Sequence, residues 1–414
     1  MRFRMSDREP SAAEEQIVDN LDNILPGGVD RRKFLHGSLS SLGAMMLAGC
    51  TGGGGSNQST TAGEGSASGS GKATFTTPWK KEPSWGHTHV AAGRGYWKNA
   101  GVPNINGTRG NGSDTEAQNI GVGNKAMGIS SLTTALSVYP KTQDTEALNM
   151  SIMGLARGRP LLSLIWRKDQ MKDRTDLAGK TILAASGFAA ATSEVYPNLV
   201  GVDPSKVTIE EGTEEVAAPK LANNQVQAIW GSIDLFPTYQ EQVDAELGVT
   251  PLTAFGAFPG FPIWVNNKWF ENKENNVEFM SNVLTGYFKA LKWGLLNQSE
   301  YLDYLKSEVN PNLRTWTEEE LVGQHSVNCA QAVTLDMKDN GLGYFTEGGI
   351  SFVLDNAASA LVDNPNALPS ASDLVDTRAY EQSEKVKFTN KEWNQLGENA
   401  GEIWSIFKKA ESSN

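Results

Sequence analysis

The sequence predicts an α/β protein built as two lobes, with a helical C-terminal part. Short β-rich runs alternate with helical stretches through the first two thirds of the folded region, the pattern of α/β lobes with largely parallel sheets. From Ala73 to Asn414 there are 342 residues, more than one hydrophobic core usually supports. After about Asn275 the strand pattern fades and apolar residues recur at helical spacing.

Taken in order, strands are predicted over residues 73–77, 104–108, 126–130, 148–154, 161–167, 181–185, 206–210, 226–230 and 262–265, each a short apolar or β-branched run. Helix starts follow from capping residues. Ser113 with Glu116 and Thr317 with Glu320 each have the spacing of a capping box, and Ser131 and Ser186 sit where a strand ends and a helical pattern begins. Met280, Val283, Leu284, Tyr287, Phe288, Leu291 and Leu295 form one apolar stripe, the core face of a long helix.

The N-terminal 72 residues do not belong to that core. In residues 30–50, DRRKFLHGSLSSLGAMMLAGC, the Arg31-Arg32 pair precedes Phe34 and Leu35, then a mildly apolar run too short to span a bilayer, then Leu47-Ala48-Gly49 before Cys50. This reads as a twin-arginine lipoprotein signal over residues 1–49 with lipidation at Cys50, although the acidic segment before Arg31 is longer than such labels usually carry. Residues 51–72, TGGGGSNQSTTAGEGSASGSGK, hold no bulky apolar side chain and form, with Cys50, a flexible tether with a root-mean-square reach of roughly 25 Å. A two-chain lipid gives stable anchoring where one chain is marginal. The folded part is therefore expected outside the cell, held to the outer face of the cytoplasmic membrane through the lipid alone.

Formal net charge is −12, and −11 once residues 1–49 are removed, which argues against a nucleic-acid or anionic-membrane surface. Cys329 is the one cysteine besides Cys50, so no disulfide framework exists, and it is expected as a small buried apolar residue. His87 and His89 point the same way if their segment is extended, but His325 is the only further histidine after the leader, too few ligands for a zinc site, so no metal is expected. No Ser-His-Asp order, nucleophile elbow or phosphate loop occurs, and neither catalysis nor a cofactor is expected.

Several segments, in order, carry a resemblance to a known family. GRGYWKNAGV (93–102) resembles a G-x-F-x-E-A-G-L signature, and GNGSDTEAQ (110–118) follows it. GNKAMGISS (123–131) is similar to G-K-A-D-F-G-I, DLAGKTILAASG (176–187) to D-L-K-G-K-x-I-x-x-x-x-G, and LANNQVQAI (221–229) to L-x-x-G-x-V-D-A-I. These resemble the ABC-transporter solute-binding proteins for thiamine-pyrimidine precursors, alkyl sulfonates, taurine and nitrate. Ala126 and Gln227 stand where that family often has Asp. The resemblance implies a periplasmic-binding-protein type II clamp with two chain crossings, lobe one at residues 73–167 and 260–414, lobe two at 168–259, and the helical tail on lobe one.

In such a clamp, ligands bind beyond the carboxyl ends of the strands of both lobes. Trp79, Trp85 and His87 follow the first strand, where flat rings either stack a heterocycle or wrap an alkyl chain, or simply pack. Asn111, Ser113 and Asp114 open a helix whose N–H groups either hold an oxygen of the ligand or serve ordinary capping. Ser130 and Ser131 repeat that arrangement, and Ser186, Gly187 and Phe188 match it on lobe two. Trp230 and Asp234 end a lobe-two strand, and Asp234 is either a hydrogen-bond acceptor for an amino group or a solvated surface carboxylate.

The function implied is the substrate-binding component of an ABC importer. It is a monomer that closes on a small solute, a pyrimidine-like heterocycle ahead of sulfonate, taurine or nitrate, and delivers it to a permease and its ATPase. Two alternatives stand beside it. One is a pyrimidine-synthase-like enzyme on the same fold, whose relatives use their own histidine and bound pyridoxal phosphate and carry a cysteine-rich motif that this sequence lacks. The other is a sensor that presents the closed clamp to a signalling partner.

Overall fold

The computed structural model describes residues 73–412, apart from 80, 141–146, 187–188, 191, 257 and 272–275. The leader, Cys50, the tether, and the candidate site residues Gly187 and Phe188 lie outside the described residues. Among the described residues no helix is long and apolar enough to cross a membrane.

Among the described residues ten strands form two five-stranded sheets, in the orders β2-β1-β3-β10-β4 and β7-β6-β8-β5-β9. The first contains β1 (Ala73–Thr76), β2 (Ile105–Thr108), β3 (Met127–Ile129), β4 (Met150–Arg157) and β10 (Phe261–Asn266). The second contains β5 (Leu162–Arg167), β6 (Thr181–Ala184), β7 (Thr208–Glu211), β8 (Ala228–Ser232) and β9 (Leu247–Pro251). The two sheets repeat one plan. Strands β2-β1-β3 and β7-β6-β8 run parallel, whereas β10 lies antiparallel between β3 and β4, and β5 antiparallel between β8 and β9. The expectation of largely parallel sheets is thus met in only half of each sheet. In each case the antiparallel insert is the first strand laid down after the chain crosses from the other sheet.

That topology moves one expected boundary. Leu162–Arg167, assigned by sequence to lobe one, pairs with β8 and β9 of the second sheet, so the first crossing lies at residues 158–161. The turn there is fixed by Gly158-Arg159-Pro160, because proline forces the residue before it away from helical conformation. The strand absent from the sequence reading is β9. It contains Gly248 and Pro251, which weaken a strand pattern, but β9 is at a sheet edge, where proline is tolerated. A side chain at Gly248 would lie 2.3 Å from the Trp166 ring, so glycine there lets the indole cover the strand.

The helices that shape the cleft region are α1 (His87–Gly93), α2 (Ser113–Gly121), α3 (Leu132–Ser137), α4 (Glu214–Ala222), α5 (Asn276–Leu296), α6 (Glu318–Ala332) and α7 (Asn390–Glu411). Helix α5 buries the whole predicted stripe, from Met280 to Leu295. Its Tyr287 stacks on Phe75 of β1 with ring centroids 5.4 Å apart, joining the C-terminal part to the first sheet. Helix α6 starts with the predicted capping box: Glu320 N–H donates to Thr317 Oγ1 at 3.2 Å and Thr317 N–H to Glu320 Oε2 at 2.7 Å. The box expected at Ser113 does not form. Gly112 is the N-cap, and the buried Glu116 carboxylate pairs with Lys125 at 2.7 Å instead.

His87, Thr88 and His89 begin helix α1 rather than an extended segment, so the two imidazoles do not share a face and the geometry considered for a shared metal is absent. His87 is buried, stacked on Tyr301 with centroids 4.7 Å apart and within 3.4 Å of Asn328 Nδ2. His325 Nε2 donates to the Gly294 carbonyl at 2.8 Å, which leaves Nδ1 to accept from Gln298 Nε2 at 3.1 Å. Cys329, one turn further along α6, is a buried free thiol whose ionisation burial pushes up, as an apolar packing role requires.

Burial lowers the proton affinity of these imidazoles: His87 well below its ordinary value, His89 and His325 to about 4. Because the folded values lie below the unfolded one of 6.5, their contribution to stability is complete above pH 6.5 and is lost as pH falls through 6.5 toward about 4. The urea midpoint should decline across that window while NMR finds the imidazoles still neutral at pH 6. Ordinary histidine titration near 6.5 would contradict the packing described.

Candidate functional site

Between the two sheets lies a cavity of about 770 Å³, within the range typical of small-molecule sites. The first-sheet side supplies Trp79, Ser84 and Trp85 from the segment after β1, Ser113 and Asp114 from the start of α2, and Ser131 and Thr134 around the start of α3. The second-sheet side supplies Thr192, Glu214, Ser232 and Asp234. Arg157 and Phe261 stand where β4 ends and β10 begins, and α6 closes the back with Gln324, Val327 and Gln331.

The back wall is a bonded unit. The Arg157 guanidinium lies 3.6 Å from the centroid of the Trp85 ring, and Trp85 meets Phe261 edge-on at 5.0 Å. Arg157 Nη1 donates to Gln331 Oε1 at 2.7 Å, Nη2 donates to the Ser84 carbonyl, and Ser84 Oγ donates to Gln324 Oε1 at 3.0 Å. A buried guanidinium needs such partners, and these bonds fix the indole plane as a side effect. Burial lowers the Arg157 pKa to about 10, so it remains charged at neutral pH.

On the first-sheet wall, α2 and α3 are tied by hydroxyls. Ser131 N–H donates to Ser113 Oγ at 3.2 Å, and Ser130 Oγ donates to the Ser113 carbonyl at 2.7 Å. Ser130 is fully buried behind the wall, while Ser113 and Ser131 reach it. Across the cavity, Trp230 is buried and its Nε1 donates to Thr192 Oγ1 at 3.2 Å, so it supports a lining residue from behind. Asp234 lines the cavity with Oδ1 buried and without a hydrogen-bond partner. Burial raises its pKa, and burial together with the neighbouring Asp234 and Glu215 charges raises that of Glu214.

Of the sequence-predicted site residues, Trp79, Trp85, Ser113, Asp114, Ser131 and Asp234 are therefore brought to one cavity. Ser130 and Trp230 sit one layer behind it, and His87 is in the core between α5 and α6. Asn111 is exposed outside the lining, and the Ser186 Oγ accepts from Ala189 N–H at 3.1 Å, outside the lining as well. Sequence reasoning missed Arg157, Glu214, Phe261, Gln324 and Gln331. Gln324 and Gln331 carried a signal: positions i and i+7, with Val327 between them at i+3, put two glutamines on one helix face. Arg157 was hidden because Gly154 was read as the end of its strand, which runs on to Arg157.

The model of the NMT1/THI5-like family matches residues 83–293, just over half of the chain. The chain belongs to that family. Among curated proteins no sequence matches it. Solved structures share its fold. A protein described as the periplasmic sulfonate-binding protein SsuA of a sulfonate ABC transporter from Methylobacillus flagellatus is 12% identical, with a TM-score of 0.52 over 75% of this chain and 93% of that one. The ligand-binding component of an ABC-type import system from Staphylococcus aureus, crystallised with zinc, is 8% identical, with a TM-score of 0.50 over 76% of this chain and all of the other. The periplasmic nitrate-binding protein NrtA from Synechocystis is 11% identical, with a TM-score of 0.48 over 81% of this chain and 91% of that one. The two-lobed periplasmic-binding-protein fold is thus the fold of this family member.

Gln331→Leu removes the acceptor of a buried guanidinium N–H and should cost about 1–3 kcal/mol of stability. Urea unfolding checks this; an unchanged midpoint would show that the Arg157 network does not support the back wall.

Proposed function

We propose that this protein is the extracytoplasmic solute-binding component of an ABC importer, acting as a monomer. In this reading a twin-arginine signal exports it, a lipid on Cys50 anchors it, and it passes its solute to a permease and ATPase. The observation that carries the reading is the cavity of about 770 Å³ whose walls come from both sheets, with the two chain crossings behind it. A solute touching both walls favours the approach of the lobes, because only that state offers both sets of contacts. The lobes are proposed as residues 73–157 with 261–414, and 162–251, joined by the crossings. The neighbours from Methylobacillus and Staphylococcus, described as parts of ABC systems, support the same role.

Trp79 and Trp85 offer flat faces, and Ser113, Ser131, Thr134 and Ser232 offer hydroxyls, which suits a flat, partly apolar heterocycle such as a pyrimidine of the thiamine-precursor kind ahead of a sulfonate, taurine or nitrate. A binding role is proposed in place of catalysis because His87, the histidine nearest the first strand, is held in the core by Tyr301 and Asn328.

A thermal-shift screen of the mature chain against pyrimidines, sulfonates, taurine and nitrate tests this: a ligand at 100 times its dissociation constant adds about 2.7 kcal/mol. Pyrimidines are expected to raise the melting temperature most. A shift confined to sulfonates or nitrate would overturn the heterocycle preference. Trp85→Ala should weaken binding by about 1–3 kcal/mol with unfolding still cooperative, and calorimetry showing unchanged affinity would remove Trp85 from the site.

A further inference from the structure

Among the described residues, the ionisable side chains lining the cavity are unbalanced. Asp114, Glu214 and Asp234, beside an already partnered Glu82, share it with one cationic group, Arg157. That guanidinium is already engaged by Gln331, the Ser84 carbonyl and the face of Trp85. Asp234 is the informative carboxylate: it stands on the second-sheet wall, its Oδ1 is buried with no hydrogen-bond partner from the protein, and the hydrogen bonds that the carboxylate does accept come from Ser232 and its own backbone N–H. An unpartnered buried carboxylate oxygen is costly, and it persists where something else supplies the missing donor. Glu214, in the first turn of α4, faces the same cavity and feels the Asp234 charge. Trp79, 46% exposed at the opposite wall, and Trp85 add π faces, which attract a cation in the same way.

We infer that the cavity takes a solute bearing a protonated amino or amidinium group, held by Asp234 with Glu214, and that it discriminates against anions lacking such a group. This rests on the solute-receptor reading and names the chemical class of its ligand. It places a purely anionic sulfonate or nitrate at a disadvantage, because such a ligand would meet several carboxylates and a single guanidinium that is already engaged by Gln331 and Ser84. It favours an amino-substituted heterocycle over an unsubstituted one.

The test uses the mature chain and three probes of similar size: 4-aminopyridinium, benzyl alcohol and benzenesulfonate. Calorimetry at pH 7 and low salt is expected to rank them cation, neutral, anion. Asp234→Asn should weaken the cation on the order of tenfold while changing the neutral probe little. The same substitution should raise the melting temperature of the unliganded protein, because a buried carboxylate with a raised pKa costs stability above that pKa and an amide does not. Tighter binding of benzenesulfonate than of 4-aminopyridinium, abolished by Trp85→Ala, would overturn the charge inference and leave the receptor standing. No lowering of cation affinity in Asp234→Asn, or no gain in unliganded stability, would also overturn it. Failure of all three probes and of the wider solute screen to shift the melt would remove the receptor reading and this inference with it.

Discussion

The chain passes between its sheets at residues 158–161 and returns after residue 251, and the two passages are bonded to each other and to the C-terminal helices. Gly260 N–H donates to the Gly158 carbonyl at 3.2 Å, Gly158 N–H to Ala332 O at 3.2 Å, and Arg159 N–H to Gln331 O at 3.0 Å. The approach is close enough that a Cβ on Gly260 would lie 2.2 Å from the Arg159 carbonyl oxygen, so glycine is required there by proximity. Each crossing delivers a strand that enters its new sheet antiparallel, β5 in one case and β10 in the other. The position of one sheet against the other, and therefore the cavity, follows from this junction.

Two buried arginines flank Gly158 and divide the work. Arg157 turns to the cavity and organises Trp85, Ser84 and Gln331. Arg159, wholly buried, pairs with Glu411 and donates to the Ala330 carbonyl at 2.5 Å. A buried charge is tolerable only when paired and hydrogen-bonded, so Arg159 fastens the last turn of α7 to the junction. Helix α7 breaks at Gly401, whose φ of +60° is in the left-handed region, and it packs on α5, α6 and β9. The C-terminal part, expected to pack on lobe one, also touches the second sheet through β9.

Among the described residues nine of the ten strands were legible from short β-rich runs, and the central strands β3, β5 and β10, buried along their whole length, leave a continuous apolar trace. The stripe on α5 and the capping box at Thr317 were legible for the same local reason. What escaped depended on tertiary context. Edge strand β9 is held by β5 despite its glycine and proline, and Glu116 is drawn from its helix start by Lys125. His87 and His89 lie in a helix entered at Gly86, where Leu305 and Tyr301 pack so closely that a Cβ would stand 2.5 Å from Leu305 Cδ2. The site was half legible: strand-end loops announced the tryptophans, serines and Asp234, but the back wall comes from α6, more than 150 residues later than Arg157, and no local pattern links them.

That division of the wall bears on how a ligand would be recognised. The partners of Arg157 all belong to the protein itself, so the aromatic floor is preorganised and costs little to present. The lobe-two carboxylate is the opposite case, since Asp234 Oδ1 has no hydrogen-bond partner from the protein and a donor on the proposed solute would supply one. In a receptor whose lobes approach on binding, stabilisation that appears only in the bound state is what shifts the population toward closure, whereas contacts already made without ligand shift nothing. A rigid aromatic platform on one lobe and an unsatisfied acceptor on the other thus give the proposed clamp both a seat for its solute and a reason to close on it.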